Sequence, residues 1–346
     1  TDRQLRDYGV TTLSEVLRLV PGFEAIDANW GDLVLHHGLP ETVLYMVDGV
    51  PLTNPMANFS TLGRDLMLEL NHIERIEIVR GPGSVPWGQS AFLGIVNVIT
   101  RWPSTEGERV TGHVRFGTLS TFEGFASAEG SHRWLDYFIS TTQRTTEGPR
   151  THLDDSIVAD VGVDPSAEVS PPIFGGGGDT QNGRDRYHDV LAKIRIDRRF
   201  DLLVNYVVNF TQFEISRFGS LLPPDNLGSW RTEDLLLSAS WQDELPSNFR
   251  YRISASRYAH TSFENYVVHP HSTYLPHGFS SVQGNDLEPS VNHLAEARLH
   301  HSFDTGTLGS AAVVDVIDDE GTGEILHVLD RPLEKGAAVA GKIDRD

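Results

Sequence analysis

Alternation of apolar and polar residues with a period of two, in segments of about ten residues, dominates the chain from residue 108 onwards. Between Leu202 and Phe210, for example, every second residue is apolar, and Asn205 and Asn209 fall in the other register. Successive side chains of a strand point to opposite faces, so this pattern predicts strands that have one apolar face. About eight such strands are predicted, near residues 109–117, 122–130, 133–142, 187–197, 201–212, 231–242, 247–259 and 292–303.

The connections between these predicted strands are alternately short and long. Short turns are predicted at 118–121 and 244–248, whereas loops rich in Gly, Pro and Ser fill 143–186, 213–230 and 260–291. Strands of about 9–11 residues, with short turns at one end and long loops at the other, are typical of antiparallel barrels that cross an outer membrane. A soluble β-sandwich or barrel also has alternating strands and stays open as an alternative.

The first hundred residues have a different pattern, which predicts a compact α+β domain. Apolar residues spaced at i, i+3, i+4 and i+7 predict a helix over about 12–19, and Pro21-Gly22 ends it. Short apolar segments predict strands at 33–35, 43–47, 73–79 and 94–100.

The charge balance argues against one class of partner. Aspartate and glutamate number 48 against 28 lysines and arginines, which gives a formal net charge of −20. A phosphate backbone would be repelled by this charge, so no nucleic-acid partner is expected. The chain has no cysteine, which excludes disulfides and thiolate metal sites.

The sequence does not predict an enzyme. The glycine-rich segment 81–88 lacks the Gly-Lys-Ser/Thr ending of a phosphate-binding loop, and we recognise no Ser-His-Asp set, His-Glu-x-x-His motif or paired-carboxylate cleft. We therefore expect no catalytic residue and no cofactor. A secreted β-rich enzyme acting on glycans stays open as a further alternative, and it would need catalytic carboxylates.

Histidines are the remaining candidates for a metal site. His269, His271 and His277 fall in one predicted loop. The simpler interpretation is that their side chains are solvated, and the alternative is that they help to capture an iron complex. The pairs His36-His37 and His300-His301 would point to opposite faces if they lie on strands, which argues against shared ligation. No metal site is therefore predicted.

Five segments of the first domain resemble, in order and spacing, the plug domain of TonB-dependent outer-membrane receptors. They are the helix with its VPGF ending (20–23), VLYMVDGVPL (43–52), IERIEIVRGP (73–82), the turn around Trp87-Gly88, and GIVNVITR (94–101). The alternating strands that follow are what this family places next. The resemblance therefore implies a plug domain followed by antiparallel transmembrane β-barrel strands, in the outer membrane.

The resemblance also implies structural roles for a set of plug-motif residues. We expect these residues to build turns and close backbone approaches rather than to contact a ligand. The set comprises Pro21, Gly22, Asp48, Gly49, Arg80, Gly81, Pro82, Trp87, Gly88, Gly94 and Asn97.

Two of the plug positions are expected to pair with the barrel wall. A charged plug residue loses water inside a barrel unless a wall carboxylate pairs with it, and the resemblance implies this role for Arg80. The family usually has a second arginine in an earlier I-R-G motif, where this chain has LHHG at 35–38. His37 therefore stands where arginine is expected, so the second plug–wall ion pair is either missing or pH-dependent.

Beyond residue 303 the strand pattern is lost. Residues 304–346 contain no Phe, Trp or Tyr, and Asp318-Asp319-Glu320 interrupts a stretch of Val and Ile. The sequence therefore divides into a plug domain at 1–101, the N-terminal portion of an outer-membrane β-barrel at 108–303 and an atypical acidic tail at 304–346. Because the barrel of this family has about 22 strands, a chain with about eight is expected to be a partial barrel.

These features together predict an outer-membrane receptor that takes up a scarce nutrient, an iron–siderophore or similar metal complex, by TonB-coupled movement of the plug. The expected partners are a TonB-like energy-transducing protein, the lipid bilayer of the outer membrane and a small nutrient ligand such as a metal chelate. Haem, cobalamin and oligosaccharides are also cargoes of the family, and the sequence does not distinguish them. A truncated, non-transporting binding or structural module that contains a plug is the alternative.

Overall fold

The computed structural model describes residues 2–28, 31–40, 42–52, 70–81, 91–103, 107–148, 150–153, 178–181, 184–213, 228–245, 249–269, 282–303, 306–318, 325–332 and 339–342. Its N-terminal domain, which we call the plug, contains two helices, α1 (Asp2–Tyr8) and α2 (Leu13–Arg18). Its strands are β1 (Phe23–Ala28), β2 (Gly31–His36), β3 (Val43–Val47), β4 (Val50–Pro51), β5 (Ile73–Arg80) and β6 (Gly94–Thr100). The sequence pattern predicted α2, β2, β3, β5 and β6, and did not predict α1, β1 or the two-residue β4.

Helix α2 begins at a capping box. The Thr12 hydroxyl accepts a hydrogen bond from the Glu15 N–H at 3.3 Å, and the Glu15 carboxylate accepts the Thr12 N–H at 3.1 Å. This reciprocal pair satisfies two backbone donors that the first turn of a helix leaves open. Leu13 and Leu17 then bury one side of the helix in the plug core.

The centre of the plug is a four-stranded sheet in the order β4-β3-β6-β5. Strand β6 pairs with β3 in parallel and with β5 in antiparallel orientation. Every residue of β3 is buried, as expected for a continuous apolar run in a strand that is covered on both faces. Strands β1 and β2 form a separate antiparallel hairpin.

The second part of the chain forms one antiparallel sheet, which we call the wall. Its described strands are β7 (Gly107–Phe116), β8 (Phe122–Ser131), β9 (Leu135–Thr146), β12 (Arg184–Ile196), β13 (Phe200–Phe213), β14 (Gly228–Leu245), β15 (Phe249–His269), β16 (Val282–Phe303), β17 (Gly306–Asp318), β18 (Ile325–Pro332) and β19 (Val339–Lys342). Their order across the sheet is 19-18-17-16-15-14-13-12-9-8-7. A small hairpin of β10 (Arg150–Leu153) and β11 (Gly178–Gln181) stands apart from it.

All eight strands predicted from alternation are present, as β7 to β9 and β12 to β16, which confirms the predicted fold class. Strands β15 and β16 are longer than predicted, with 21 and 22 residues, and extend into the segment predicted as a loop at 260–291.

The two faces of the wall differ in the way the alternation predicted. In β13 the outward residues are apolar at Leu202 and Val204, whereas Asn205 and Asn209 are buried on the side that faces the plug. Membrane barrels present apolar residues outward and polar residues inward. The wall therefore turns its polar face towards the plug.

The structure differs from the sequence prediction in the acidic tail. No barrel strands were predicted there, but β17, β18 and β19 continue the antiparallel sheet beyond β16. The absence of aromatic residues was a poor guide, because ladder hydrogen bonds come from the backbone and Val-rich segments are good strand formers. Asp318, the first residue of the acidic triplet, is the last residue of β17. The division of the chain into three regions stays a prediction.

In the part of the chain that the structure describes, no helix has the length and apolar character needed to cross a membrane.

We expect Thr12→Ala to destabilise the plug by about 1 kcal/mol, because it removes the side-chain acceptor of the α2 cap. Thr12→Ser keeps the hydroxyl and serves as the control. Thermal unfolding of the chain in detergent, followed by circular dichroism, should show a lower midpoint for Thr12→Ala alone. An equal shift in both variants would mean that the capping hydrogen bonds do not matter.

Candidate functional site

The candidate site is the interface at which the plug meets the polar face of the wall. Three plug segments reach this interface: the turn after β3, the residues just before β5, and the end of β6 with the segment that follows. On the wall side, charged residues of β8 and β12 meet them.

Asp48, in the turn after β3, makes an ion pair that crosses from the plug to the wall. Its carboxylate lies 3.1 Å from Lys193 Nζ of β12, and the side chains are 19% and 4% exposed. The same carboxylate accepts the Thr100 N–H at 3.0 Å and the Thr100 hydroxyl, and Lys193 Nζ also donates to the Thr100 carbonyl at 3.1 Å. Asp48, Thr100 and Lys193 therefore form one closed network that joins two plug strands to the wall.

Trp102 extends this network along the segment that leaves the plug. Its ring lies 4.2 Å from Lys193 Nζ and 4.3 Å from Arg195 Cζ, both within the range of cation–π contact. Arg195 is itself held by a bidentate pair with Asp201, at 2.6 and 2.9 Å. Two cations of β12 thus fix the position of the segment between the plug and the first wall strand.

Residues just before β5 make a second group of contacts with the wall. His72 Nδ1 lies 3.4 Å from a carboxylate oxygen of Asp189, and both side chains are buried. Asn71 donates to the Glu123 carboxylate at 3.1 Å. The second carboxylate oxygen of Asp189 accepts from Asn205 at 2.7 Å, so the wall orients the carboxylate that faces His72.

Apolar packing continues across the interface beside these polar contacts. One cluster of buried residues contains plug side chains such as Leu17, Val96 and Val98 together with wall side chains. The wall members of the cluster are Phe138, Leu191, Leu203, Leu236 and Tyr258. The plug is therefore held by a continuous apolar contact and by a small number of buried polar pairs.

Several residues predicted from the plug motifs hold the turn at Asp48 in place. Asp48 itself has φ +48°, and the following Gly49 has φ +84°. The Gly49 N–H donates to Asn97 Oδ1 at 3.0 Å, and Asn97 Nδ2 donates to Glu77 at 3.4 Å. Asn97 thus fixes the turn that presents Asp48 to Lys193.

The other predicted motif residues lie elsewhere in the plug. The carbonyl of Gly22, which follows Pro21, accepts the His37 N–H at 2.8 Å, and the Gly81 N–H donates to the Leu93 carbonyl at 2.8 Å. Gly94 begins β6 and is buried. Pro82, Trp87 and Gly88 lie outside the described residues.

Arg80 and His37 are exposed and lie close to the buried His36. Burial lowers the pKa of His36, and the nearby positive charges of His37 and Arg80 lower this pKa further. Wall partners for Arg80 and His37 stay a prediction.

His36 and His37 were expected to point to opposite faces if both lie on a strand, and the structure does not place both on one. Strand β2 ends at His36, and His37 takes the left-handed conformation with φ +52°, which brings the two rings within 4.3 Å of each other. His271 and His277 lie outside the described residues, and the side chains of His269, His300 and His301 are not described. Within the described part of the chain, no group of three or more His, Cys, Asp or Glu is arranged to hold a metal ion.

Sequence reasoning missed Lys193 as a plug partner, although a signal was present. Lys193 alternates with Ala192 and Ile194 in β12, so it lies on the face opposite to the apolar one. A lysine on the inward face of a strand that borders a plug requires a buried acceptor or carboxylate. What the sequence alone does not supply is the partner, since Asp48 lies 145 positions away along the chain.

We expect Asn97→Ala to destabilise the plug by about 0.5–1.5 kcal/mol, because the partly buried Gly49 N–H loses its acceptor. Glu77→Gln leaves the Asn97 acceptor oxygen in place and changes only its exposed neighbour, so it is the control. Urea unfolding in detergent micelles measures the difference between the two variants. If Asn97→Ala unfolds at the same urea concentration as the parent chain, the turn does not depend on this hydrogen bond.

Comparison with known proteins identifies relatives for both parts of the chain. Residues 1–95 match the TonB-dependent Receptor Plug Domain family. The chain is 28% identical over 145 residues to the ferric enterobactin receptor PirA of Pseudomonas aeruginosa, a match covering 38% of this chain and 19% of PirA. It is 25% identical over 281 residues to "Probable TonB-dependent receptor BfrD" of Bordetella pertussis, covering 78% of this chain and 34% of BfrD.

Solved structures show the same fold. The siderophore receptor PiuA of Acinetobacter baumannii matches with a TM-score of 0.61 at 13% identity, covering 99% of this chain and 47% of PiuA. The chain therefore spans less than half the length of each of these three proteins. The resemblance that the plug motifs predicted is confirmed, and the proteins that this chain matches are outer-membrane receptors rather than enzymes.

Proposed function

We propose that this chain is part of a TonB-dependent receptor, which takes up a scarce nutrient across the outer membrane by a TonB-coupled movement of its plug. The observation that carries the proposal is the docking of the plug on the polar face of the wall through the network of Asp48, Thr100 and Lys193. The ligand and the energy-transducing partner are both part of the proposal.

The composition of the interface supports a plug that closes the barrel and can also move. Its apolar part excludes water, whereas its ion pairs and hydrogen bonds can be exchanged for water when the plug shifts. In this scheme ligand binding changes the populations of a closed and an open plug, and a pull by a TonB-like protein supplies the remaining free energy. The protein carries out no covalent chemistry.

We propose an iron–siderophore or a similar metal complex as the cargo. The support comes from the names of two similar proteins, the ferric enterobactin receptor PirA and the siderophore receptor PiuA. The chain is strongly acidic, with a net charge of −20, so an anionic ferric chelate would need local positive charge to bind.

The test is an uptake assay in a Gram-negative host that lacks its own ferric-catecholate receptors. The receptor that contains this chain is expressed in strains with and without TonB, and binding and uptake of radiolabelled ferric enterobactin are measured. Ferric citrate, haem and cobalamin are assayed in parallel. Uptake that requires TonB supports the proposal, and the competing ligand that is taken up identifies the cargo.

Two results would contradict the proposal. Uptake that is equal with and without TonB would show that the plug does not couple to this partner. Binding without uptake of any of these ligands would favour the alternative of a plug-containing binding module.

A further inference from the structure

His36 and His37, at the end of β2, make none of the plug–wall contacts described above. His36 is only 1% exposed, and neither of its ring nitrogens has a hydrogen-bond partner among the described residues. Its ring packs on Phe23, with the ring centroids 4.4 Å apart. Burial of an imidazole without hydrogen bonds is unfavourable, so the position requires an explanation beyond packing.

His37 has a backbone conformation that brings its ring to the same place. Its φ of +52° lies in the left-handed region, which is uncommon for residues other than glycine and is often found at functional sites. Its N–H donates to the Gly22 carbonyl at 2.8 Å, which holds the turn. The consequence is that two imidazoles that follow each other in sequence lie side by side.

Gly22 leaves a small space between these two rings and its own backbone. A Cβ atom at Gly22 would lie 3.4 Å from His36 Nε2 and 3.4 Å from His37 Nε2, and 3.2 Å from His37 Cε1. Both Nε2 atoms therefore border one space, which any side chain at residue 22 would fill. With φ +93°, Gly22 also has a backbone conformation that disfavours other residues.

We propose that His36 and His37 form a two-histidine binding site for a divalent transition-metal ion on the plug. Zinc, copper and nickel ions prefer imidazole nitrogen, at about 2.0–2.1 Å in the case of zinc. Both Nε2 atoms lie 3.4 Å from the position of a Cβ at Gly22, so the two rings have to rotate to bring them to this distance from a shared ion. The exposure of His37 gives the ion a path from solvent.

Two histidines fill only part of a coordination sphere, so water or an exogenous group completes it. The positive charge of Arg80 acts on His36 and therefore opposes a bound cation unless a negative group offsets it. This arrangement favours an anionic group, such as a carboxylate, as the further ligand of the metal. The site is independent of the proposed uptake function, because the ion binds to the plug itself.

Copper binding to the full chain without a polyhistidine tag, in detergent, tests the site. The chain contains 15 histidines, so the spectrum of a substoichiometric amount of Cu²⁺ is recorded by electron paramagnetic resonance, and affinity is measured by calorimetry. We expect nitrogen couplings from two imidazoles in the parent chain. His37→Asn should leave one imidazole and weaken Cu²⁺ binding at least tenfold, while asparagine tolerates the left-handed backbone.

His132→Asn is the matched control, because His132 is exposed in the turn between β8 and β9. It should leave both the spectrum and the affinity unchanged. His36→Phe preserves a ring against Phe23 and should also remove one nitrogen coupling. Unchanged copper binding in His37→Asn, or an equal loss in His132→Asn, would overturn the proposal.

Discussion

Asp48→Asn is expected to destabilise the docked plug by about 3–5 kcal/mol, because the buried ammonium of Lys193 loses its counter-charge. The remaining hydrogen bond from Lys193 to the Thr100 carbonyl does not neutralise this charge. Urea unfolding in detergent micelles measures the loss. Limited proteolysis, which reports exposure of the plug, should show faster cleavage within residues 1–101.

A double variant separates the charge effect from a general loss of packing. Lys193→Met alone leaves Asp48 without its cation, whereas Asp48→Asn with Lys193→Met removes both charges. The double variant should therefore recover much of the stability that either single variant loses. If the loss of stability in the double variant equals the sum of the losses in the two single variants, the two side chains do not interact, and the ion pair does not hold the plug.

Arg250→Gln is the matched control for this experiment. Arg250 lies 3.7 Å from Glu244 in the wall, and the two side chains are 68% and 55% exposed. Exposed ion pairs contribute about 0–1 kcal/mol, so this variant should remain close to the parent chain. A large effect of Arg250→Gln would show that any loss of charge destabilises the wall.

The wall was predictable from sequence because two-residue alternation is a local signal. Leu202 and Asn205 could be assigned to opposite faces before any partner strand was known, and the structure confirms this assignment. The strands of the tail were not predicted for a related reason. Strand β17 lacks aromatic residues, and its place in the sheet depends on the register in which it pairs with β16. Register is set by pairing across the sheet, which a single sequence does not show.

The candidate site was harder to predict because its residues meet only through the tertiary fold. Asp48 was recognised as a turn residue, but its pairing with Lys193 joins two domains. His37 was expected to point away from His36 only if both lie on a strand, but β2 ends at His36 and the left-handed backbone at His37 brings the two rings together. One positive φ angle, at His37, is enough to end the alternation of the strand. Among residues 36–38, only Gly38 is of a type that predicts such a turn.

Phe138→Ala should destabilise the chain about as strongly as the loss of Asp48, by about 3–5 kcal/mol. Phe138 of β9 is fully buried at 0% exposure and belongs to the apolar cluster that joins plug and wall. Truncation removes its apolar contacts and leaves a cavity. Phe138 is the ladder partner of Lys193 on β12, so water admitted by the cavity would also reach the Asp48–Lys193 pair.

The neighbouring residue provides the control for this prediction. Ile139 follows Phe138 on the same strand but points to the other face and is 45% exposed. Ile139→Ala removes apolar atoms without opening a cavity against the plug, so we expect a loss below about 1.5 kcal/mol in detergent. Phe138→Leu, which fills part of the space, should fall between the two.

The same variants also measure how plug docking depends on apolar contact. Phe138→Ala should expose the plug to protease while the wall strands stay protected, because the lost contact lies between the two. The effect of Phe138→Ala combined with Asp48→Asn should be non-additive, since the ladder links Phe138 directly to Lys193. Equal effects of Phe138→Ala and Ile139→Ala would contradict the assignment of the inner face of the wall and, with it, the docked position of the plug.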